Sequence, residues 1–314
     1  MNAGASIFVA GAHGLVGSAI CRALAARGCT HVLRPTRSEL DLRDRAAVDR
    51  FFAKERPEHV FFAAAKVGGI VANETYPADF IRDNLAIQTN VIDAAHRNGT
   101  RKFCFLGSSC IYPRLAPPPI NESSLLTGPL EPTNQWYAVA KIAGIKMCQA
   151  YAKQYGFNAI SVMPTNLYGP GDNFDLQTSH VLPALLRKLH TAKQNGSTEA
   201  IVWGSGTPRR EFLYVDDLAD ALLFLMERYD SPEIINVGCG EDVTIAELAR
   251  LIAETVGFRG ELVFDRSKPD GTPRKLLDVS KSRALGWQAK TPLADGIRAT
   301  YDWYLANAAQ GLAS

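Results

Sequence analysis

Tyr137 and Lys141 lie four residues apart. In a helix that spacing puts both side chains on one face. An ammonium beside a phenol favours the phenolate, so the pair is expected to lower the tyrosine pKa and make Tyr137 a proton donor. Ser108 or Ser109, in the stretch GSSC (107–110), can donate a hydrogen bond to the same substrate oxygen. Far upstream, Gly11-Ala12-His13-Gly14-Leu15-Val16-Gly17 has the spacing GxxGxxG. Glycine permits a tight turn and lets the backbone approach a pyrophosphate, while N–H groups at the next helix start face the anion. A proton donor behind a dinucleotide turn implies hydride transfer, with Lys141 also placed to hold a nicotinamide ribose.

The residues after the second expected strand bear on the cofactor. A site selective for NAD offers a carboxylate there to hold the ribose hydroxyls. This chain offers Arg34, Pro35, Thr36, Arg37 and Ser38. Cations suit a 2′-phosphate, so the expected cofactor is NADP(H), with Arg37 the first candidate for the phosphate and Arg34 the second. Asp41 and Leu42 then fall near the adenine.

Such groups need a scaffold. Apolar runs at 6–10, 31–33, 59–65, 102–106 and 159–163 read as strands. Periodic segments at 15–26, 44–54, 76–97 and 135–155 read as helices between them. This alternation predicts an α/β fold: a Rossmann-type, doubly wound, mainly parallel sheet with a smaller C-terminal lobe. Residues 1–164 are expected to form most of the dinucleotide-binding domain. Residues 165–314 are expected to form most of the substrate lobe, with some segments returning to the sheet: 179–190 and 216–227 read as helices and 233–237 as a strand. Residues 111–134, with prolines at 117, 118, 119, 129 and 132, read as a long ordered loop. Residues 164–178 read as a second loop, 190–199 as a polar surface loop, and the C-terminal part as less regular.

Composition narrows the classes. The chain has 314 residues, 46% hydrophobic and 21% charged, with a net charge of +2. So small a charge implies no nucleic-acid surface. Six cysteines without a CxxC pair suggest reduced thiols, and six histidines without a ligand cluster suggest no metal. No stretch reaches 18 uninterrupted apolar residues and no secretory leader is apparent, so a cytoplasmic, membrane-free protein is expected.

Several blocks carry a resemblance: AAAKVGGIVAN (63–73), GSSCIYP (107–113), LEPTNQWYAVAKIAGIK (130–146), SVMPTNLYGPGDNF (161–174), SHVLPALL (179–186), VWGSGTPRREFLYVDD (202–217) and KPDGTPRKLLDVS (268–280). The chain resembles the extended short-chain dehydrogenase/reductases and, block by block, the GDP-L-fucose synthase family. The resemblance implies epimerisation of GDP-4-keto-6-deoxy-D-mannose at C3 and C5, then reduction at C4. It makes Cys110 the base and His180 the acid of epimerisation. It extends the cofactor set to Ala64, Pro164, Asn166 and Leu167. For the substrate it implies Asn166, His180, Val181, Lys188, Trp203, Arg210, Asp270 and Lys275. Trp203 can equally be packing. Lys188 stands where the family usually has arginine, which keeps the charge and loses the bidentate fork. His13 stands where relatives can have an arginine on the cofactor phosphate. The resemblance also implies a homodimer built on the helices at 76–97 and 135–155. A nucleotide-sugar 4-epimerase, a 4,6-dehydratase, a 4-reductase and a non-catalytic dinucleotide sensor remain alternatives; Cys110 and His180 argue against the 4-epimerase and the dehydratase.

Overall fold

The computed structural model describes residue 2 and residues 4–176, 178–268 and 270–308. Its first half alternates strand and helix. β1 (Ile7–Ala10) turns through Gly11 into α1 (Leu15–Ala26), followed by β2 (Val32–Leu33), α2 (Arg45–Glu55) and β3 (His59–Phe62). Asp44 starts α2 by accepting the Ala47 N–H at 3.0 Å, which satisfies one free helical donor. A short α3 (Ile70–Thr75) precedes α4 (Pro77–Arg97), with proline in the first turn where its missing N–H costs nothing. Then come β4 (Lys102–Leu106), α5 (Gln135–Tyr155) and β5 (Ala159–Pro164). Gly156, at φ 67°, ends α5 in the left-handed region.

The second half contains β6 (Asn166–Tyr168), α6 (Val181–Gln194), β7 (Glu199–Trp203), β8 (Arg209–Arg210), β9 (Phe212–Tyr214), α7 (Val215–Arg228) and β10 (Ile234–Val237). It closes with β11 (Val243–Thr244), α8 (Ile245–Val256), β12 (Glu261–Asp265), β13 (Arg274–Lys275), α9 (Ser280–Ala284) and α10 (Leu293–Ala308).

Six strands form one parallel sheet in the order β2-β1-β3-β4-β5-β10. Side chains alternate between its faces. Phe8, Phe62, Phe103 and Phe105 enter one apolar cluster with residues of α2, α4 and α5. Ile7, Val9, Phe61 and Cys104 enter another with residues of α1 and α7. Burial on both faces is what a doubly wound sheet requires. A third cluster joins Tyr168, Leu186, Leu248 and Ile297, away from the sheet.

Some sequence expectations need correction. Residues 164–178 are not all loop, because β6 pairs with β9 in parallel register, Asn166 opposite Phe212. Residues 190–199 are helical as far as Gln194: Lys and Gln are good helix formers, and only Asn195 and Gly196 stop the helix. The C-terminal part is more regular than expected; α8, for example, opens with a capping box between Thr244 and Glu247. The proline-rich loop is braced: Tyr112 Oη donates to Asn236 Oδ1 at 2.6 Å, and Asn236 Nδ2 donates to Ile120 O at 3.0 Å.

Candidate active site

The site gathers where β4 and β5 end and the lobe begins. β4 runs into Gly107 and then into a 3₁₀ turn, Ser109–Ile111. A Cβ on Gly107 would collide with the Met163 side chain, so glycine leaves the room the chain needs to quit the sheet here. Ser108 caps the turn: its Oγ accepts the Cys110 N–H at 3.2 Å. Of the two serines, Ser109 is buried, 4% exposed, and Ser108 stays accessible. α5 carries Tyr137 and Lys141 on one face as expected. Lys141 Nζ donates to Leu106 O at 2.7 Å and lies 5.0 Å from the Phe105 ring centre. Burial lowers its pKa to about 7.

The tyrosine departs from the sequence expectation. Its pKa is raised, not lowered: burial raises it most, the Cys110 sulfur adds to this, and only a hydrogen bond with Ser108 opposes them. Lys141 spends its nearest contact on a carbonyl and its own charge is weakened by burial, so it does not offset desolvation of the phenolate. The phenol is therefore kept protonated, which suits a donor.

Cys110 receives two N–H donors. Asn134 Nδ2, just before α5, and Lys275 Nζ, on β13, each donate to its Sγ at 3.4 Å. Burial raises the thiol pKa, yet the Lys275 charge, hydrogen bonds from Ser108 and Lys275, and the Arg210 charge outweigh it, and the net shift is downward. A cavity of about 40 Å³ beside the sulfur is lined by Asn134, Glu131, Arg114, Thr272 and Lys275. His180 is the N-cap of α6, with its side chain open to solvent. Although the residue is exposed, the protein packed around its imidazole partly desolvates it and lowers its pKa, and the Lys275 charge lowers it further. Lys275 thus acts on both expected acid/base groups. Sequence reasoning missed Asn134; its place just ahead of Tyr137 in LEPTNQWY was the available signal.

The glycine turn fits a dinucleotide. Gly11 sits at φ 80°, and a Cβ there would meet Ala64 N at 2.9 Å. A Cβ on Gly17 would collide with Gly11 O. Gly14, the N-cap of α1, offers no side-chain cap, and even a Cβ there would meet only Gly11 O, at 3.6 Å. The first N–H groups of α1, from Leu15 and Val16, are thereby left for an anion. His13 Nε2 donates to Arg34 O at 3.1 Å, bracing the turn against the loop that carries Arg37. Arg37 is exposed and, among the described residues, ion-pairs with no carboxylate. Asp41 is engaged by Arg43, which holds its pKa at about 2, and Leu42 packs on the sheet core. Pro164 ends β5 buried, and Leu167 packs against the α1 and α7 side. These residues fit NADP(H).

On the lobe, Asn166 Nδ2 donates to Glu211 O at 2.7 Å, so that amide spends one donor on the scaffold. Val181 starts α6 and is 37% exposed. Trp203 is 54% exposed and is no core residue. Lys188 Nζ lies 4.4 Å from its ring centre and Lys268 Nζ 5.5 Å, cation–π contacts in which Lys188 is half-buried. Sequence reading does not single out Lys268. Asp270 accepts from Ser205 N at 2.7 Å and Ser205 Oγ at 2.8 Å, closing the β13 loop over the end of β7. Arg210 is held by its neighbour's carbonyl at 2.8 Å and, among the described residues, ion-pairs with no carboxylate.

Comparison with known proteins agrees with this geometry. The sequence model of the NAD dependent epimerase/dehydratase family matches residues 7–238. GDP-L-fucose synthase 1 of Arabidopsis thaliana is 62% identical over 96% of this chain and 94% of its own. A GDP-L-fucose synthetase from Naegleria fowleri, solved bound to NADP, superposes with a TM-score of 0.90 at 33% identity, covering 98% of this chain and 96% of that one. A GDP-6-OMe-4-keto-L-xylo-heptose reductase from C. jejuni superposes with a TM-score of 0.93 at 38% identity over 98% and 99% of the two chains. With its dinucleotide turn, its Ser-Tyr-Lys set and near full-length similarity, the chain belongs to the NAD dependent epimerase/dehydratase family and, within it, to the GDP-L-fucose synthases.

Proposed function

We infer that this protein converts GDP-4-keto-6-deoxy-D-mannose to GDP-L-fucose, epimerising C3 and C5 and then reducing C4 with NADPH. The observation that carries the reading is Cys110, a half-buried cysteine beside a small cavity, its sulfur held by two N–H donors within one turn of Ser108. Reduction of a ketone alone calls for a hydride and a proton donor and leaves such a base without a task.

The C4 ketone acidifies the hydrogens on C3 and C5. Cys110 removes one from one face, and the charge moves to the C4 oxygen as an enolate. Ser108 Oγ and the protonated Tyr137 phenol donate hydrogen bonds to that oxygen. His180 returns a proton from the opposite face, which inverts the carbon; Cys110 then gives its proton to solvent, His180 takes one from solvent, and the sequence repeats at the second carbon. NADPH, when bound, supplies the hydride that reduces C4. Tyr137 then gives its proton to the C4 oxygen, and Lys141 holds the ribose next to it. Arg210 and Lys188 neutralise the diphosphate of the substrate, with Val181, Trp203 and Asp270 around the nucleoside. Arg37 takes the cofactor's 2′-phosphate. Residues 1–164 serve mainly the cofactor and 165–314 mainly the sugar nucleotide.

The variant C110S tests the reading. It is expected to oxidise NADPH against the keto-sugar and to release an unepimerised GDP-6-deoxyhexose, identified by NMR. Normal yields of GDP-L-fucose from C110S would remove the base from the mechanism.

The same reading makes the protein a cytoplasmic homodimer. Within the chain α4 and α5 pack side by side, and Trp136, Val139 and Tyr155 of α5 are exposed apolar side chains that a second copy would cover. Among the described residues no helix is long and apolar enough to cross a membrane.

A further inference from the structure

The family resemblance gives Lys275 to the substrate's phosphate or nucleoside. Its placement argues for another task. β8 and β13 form a two-residue parallel ladder with Arg209 opposite Arg274 and Arg210 opposite Lys275. Successive side chains on a strand point to opposite faces. On one face Arg209 and Arg274 both pair with Asp242, whose side chain is 3% exposed. On the other face stand Arg210 and Lys275, and among the described residues neither ion-pairs with a carboxylate. Lys275 Nζ instead lies 3.4 Å from Cys110 Sγ. Glu131 lines the cavity next to the sulfur but is tied to Arg114 at 3.1 Å, so it does not neutralise Lys275.

We propose that Lys275 is a positioning residue for epimerisation: its ammonium, reaching across from the C-terminal lobe, holds Cys110 as a thiolate and aims the sulfur at the sugar. The proposal rests on Cys110 being the base. Two N–H groups aimed at one sulfur suit an acceptor-only thiolate better than a thiol, which has its own proton to place. The charged and titratable groups around the sulfur come from several elements: Lys275 and Arg210 from the β8–β13 ladder, Tyr137 from α5, and Glu131 and Arg114 from the proline-rich loop. His180 from α6 shares the field of Lys275. Among the described residues, only the ladder brings positive charge to hydrogen-bond range of the sulfur. Pairing of β13 with β8, next to the loop that Asp270 anchors on Ser205, is what sets Lys275 beside the sulfur.

The test uses the full-length protein without substrate. The rate of iodoacetamide alkylation at Cys110 is followed against pH by peptide mass spectrometry, which separates it from the other five cysteines. In the wild type, alkylation is expected to reach its plateau below the range of an ordinary thiol, about 8.5. In K275M the profile should move up by about one pH unit, a loss of about tenfold in rate near pH 7. K275R should restore most of the wild-type profile, and retained NADPH binding by each variant shows that it folds. The proposal is overturned if K275M alkylates with the wild-type profile and only its KM for the sugar nucleotide rises, since that is how a simple phosphate contact behaves. A shifted profile in a protein that makes no GDP-L-fucose would keep the Lys275–Cys110 pairing and defeat the proposed reaction instead.

Discussion

In the proposed mechanism Tyr137 stands at the junction of the two chemistries: its phenol first hydrogen-bonds an enolate and then gives up its proton. Y137F is therefore expected to cut NADPH oxidation by about 10²–10⁴-fold while leaving cofactor binding, read by NADPH fluorescence, within about twofold. Near wild-type turnover would pass the proton-donor role to another group. At this scale the residue types are legible in the sequence: spacing alone puts Tyr137 and Lys141 on one helical face, and the family resemblance points to Cys110 and His180. Electrostatic direction is not legible there. The expected drop in the tyrosine pKa is reversed because burial acts on phenol and lysine together. Burial, unlike spacing, depends on groups brought in from distant segments. The contact of Lys275 with Cys110 spans 165 positions for the same reason.

The strand and helix series of the first half follows from apolar periodicity, and most of its boundaries fall within a few residues of those expected. Short elements are harder to read. β6, β8 and β13 hold two or three residues each, too few to carry a period, and they form because a partner strand exists elsewhere. The loop after β6 contains a testable oddity. Asp172 is 9% exposed; its Oδ1 accepts the Asn173 N–H at 2.8 Å, while its Oδ2 is buried with no partner. Burial pushes its carboxyl up to about 7. The folded protein thus keeps a proton that the unfolded chain releases above about pH 4. Stability from this group is full below that value, falls as pH rises toward 7, and stays low beyond it. D172N keeps the Asn173 contact and cannot ionise. It is expected to be more stable than wild type at pH 8 by about 1–3 kcal/mol and equal to it near pH 4, measured by denaturant unfolding. An equal change at both pH values would mean that the buried charge is not the cause.

For the whole molecule, the sheet brings the glycine turn, the Ser108 turn and the start of α5 together, and the C-terminal lobe lays α6 and the β8–β13 ladder against them. In the proposed reading the first part serves mainly the cofactor and the second mainly the sugar nucleotide, and Cys110 is touched from both, by Asn134 and by Lys275. If α4 and α5 also form the dimer contact, light scattering should give about twice the 34.2 kDa chain mass. Charged substitutions at Trp136 and Val139 should then yield monomers, whereas a wild-type monomer would leave that face without its partner. The proposed mechanism turns on one sulfur and one phenol serving two epimerisations before a single reduction. Running GDP-4-keto-6-deoxy-D-mannose with NADPH in heavy water, and following the sugar by NMR, examines this directly. One NADPH should be oxidised per GDP-L-fucose formed, with solvent deuterium at both C3 and C5. An unepimerised product, or GDP-L-fucose without deuterium at those carbons, would refute the two-epimerisation mechanism.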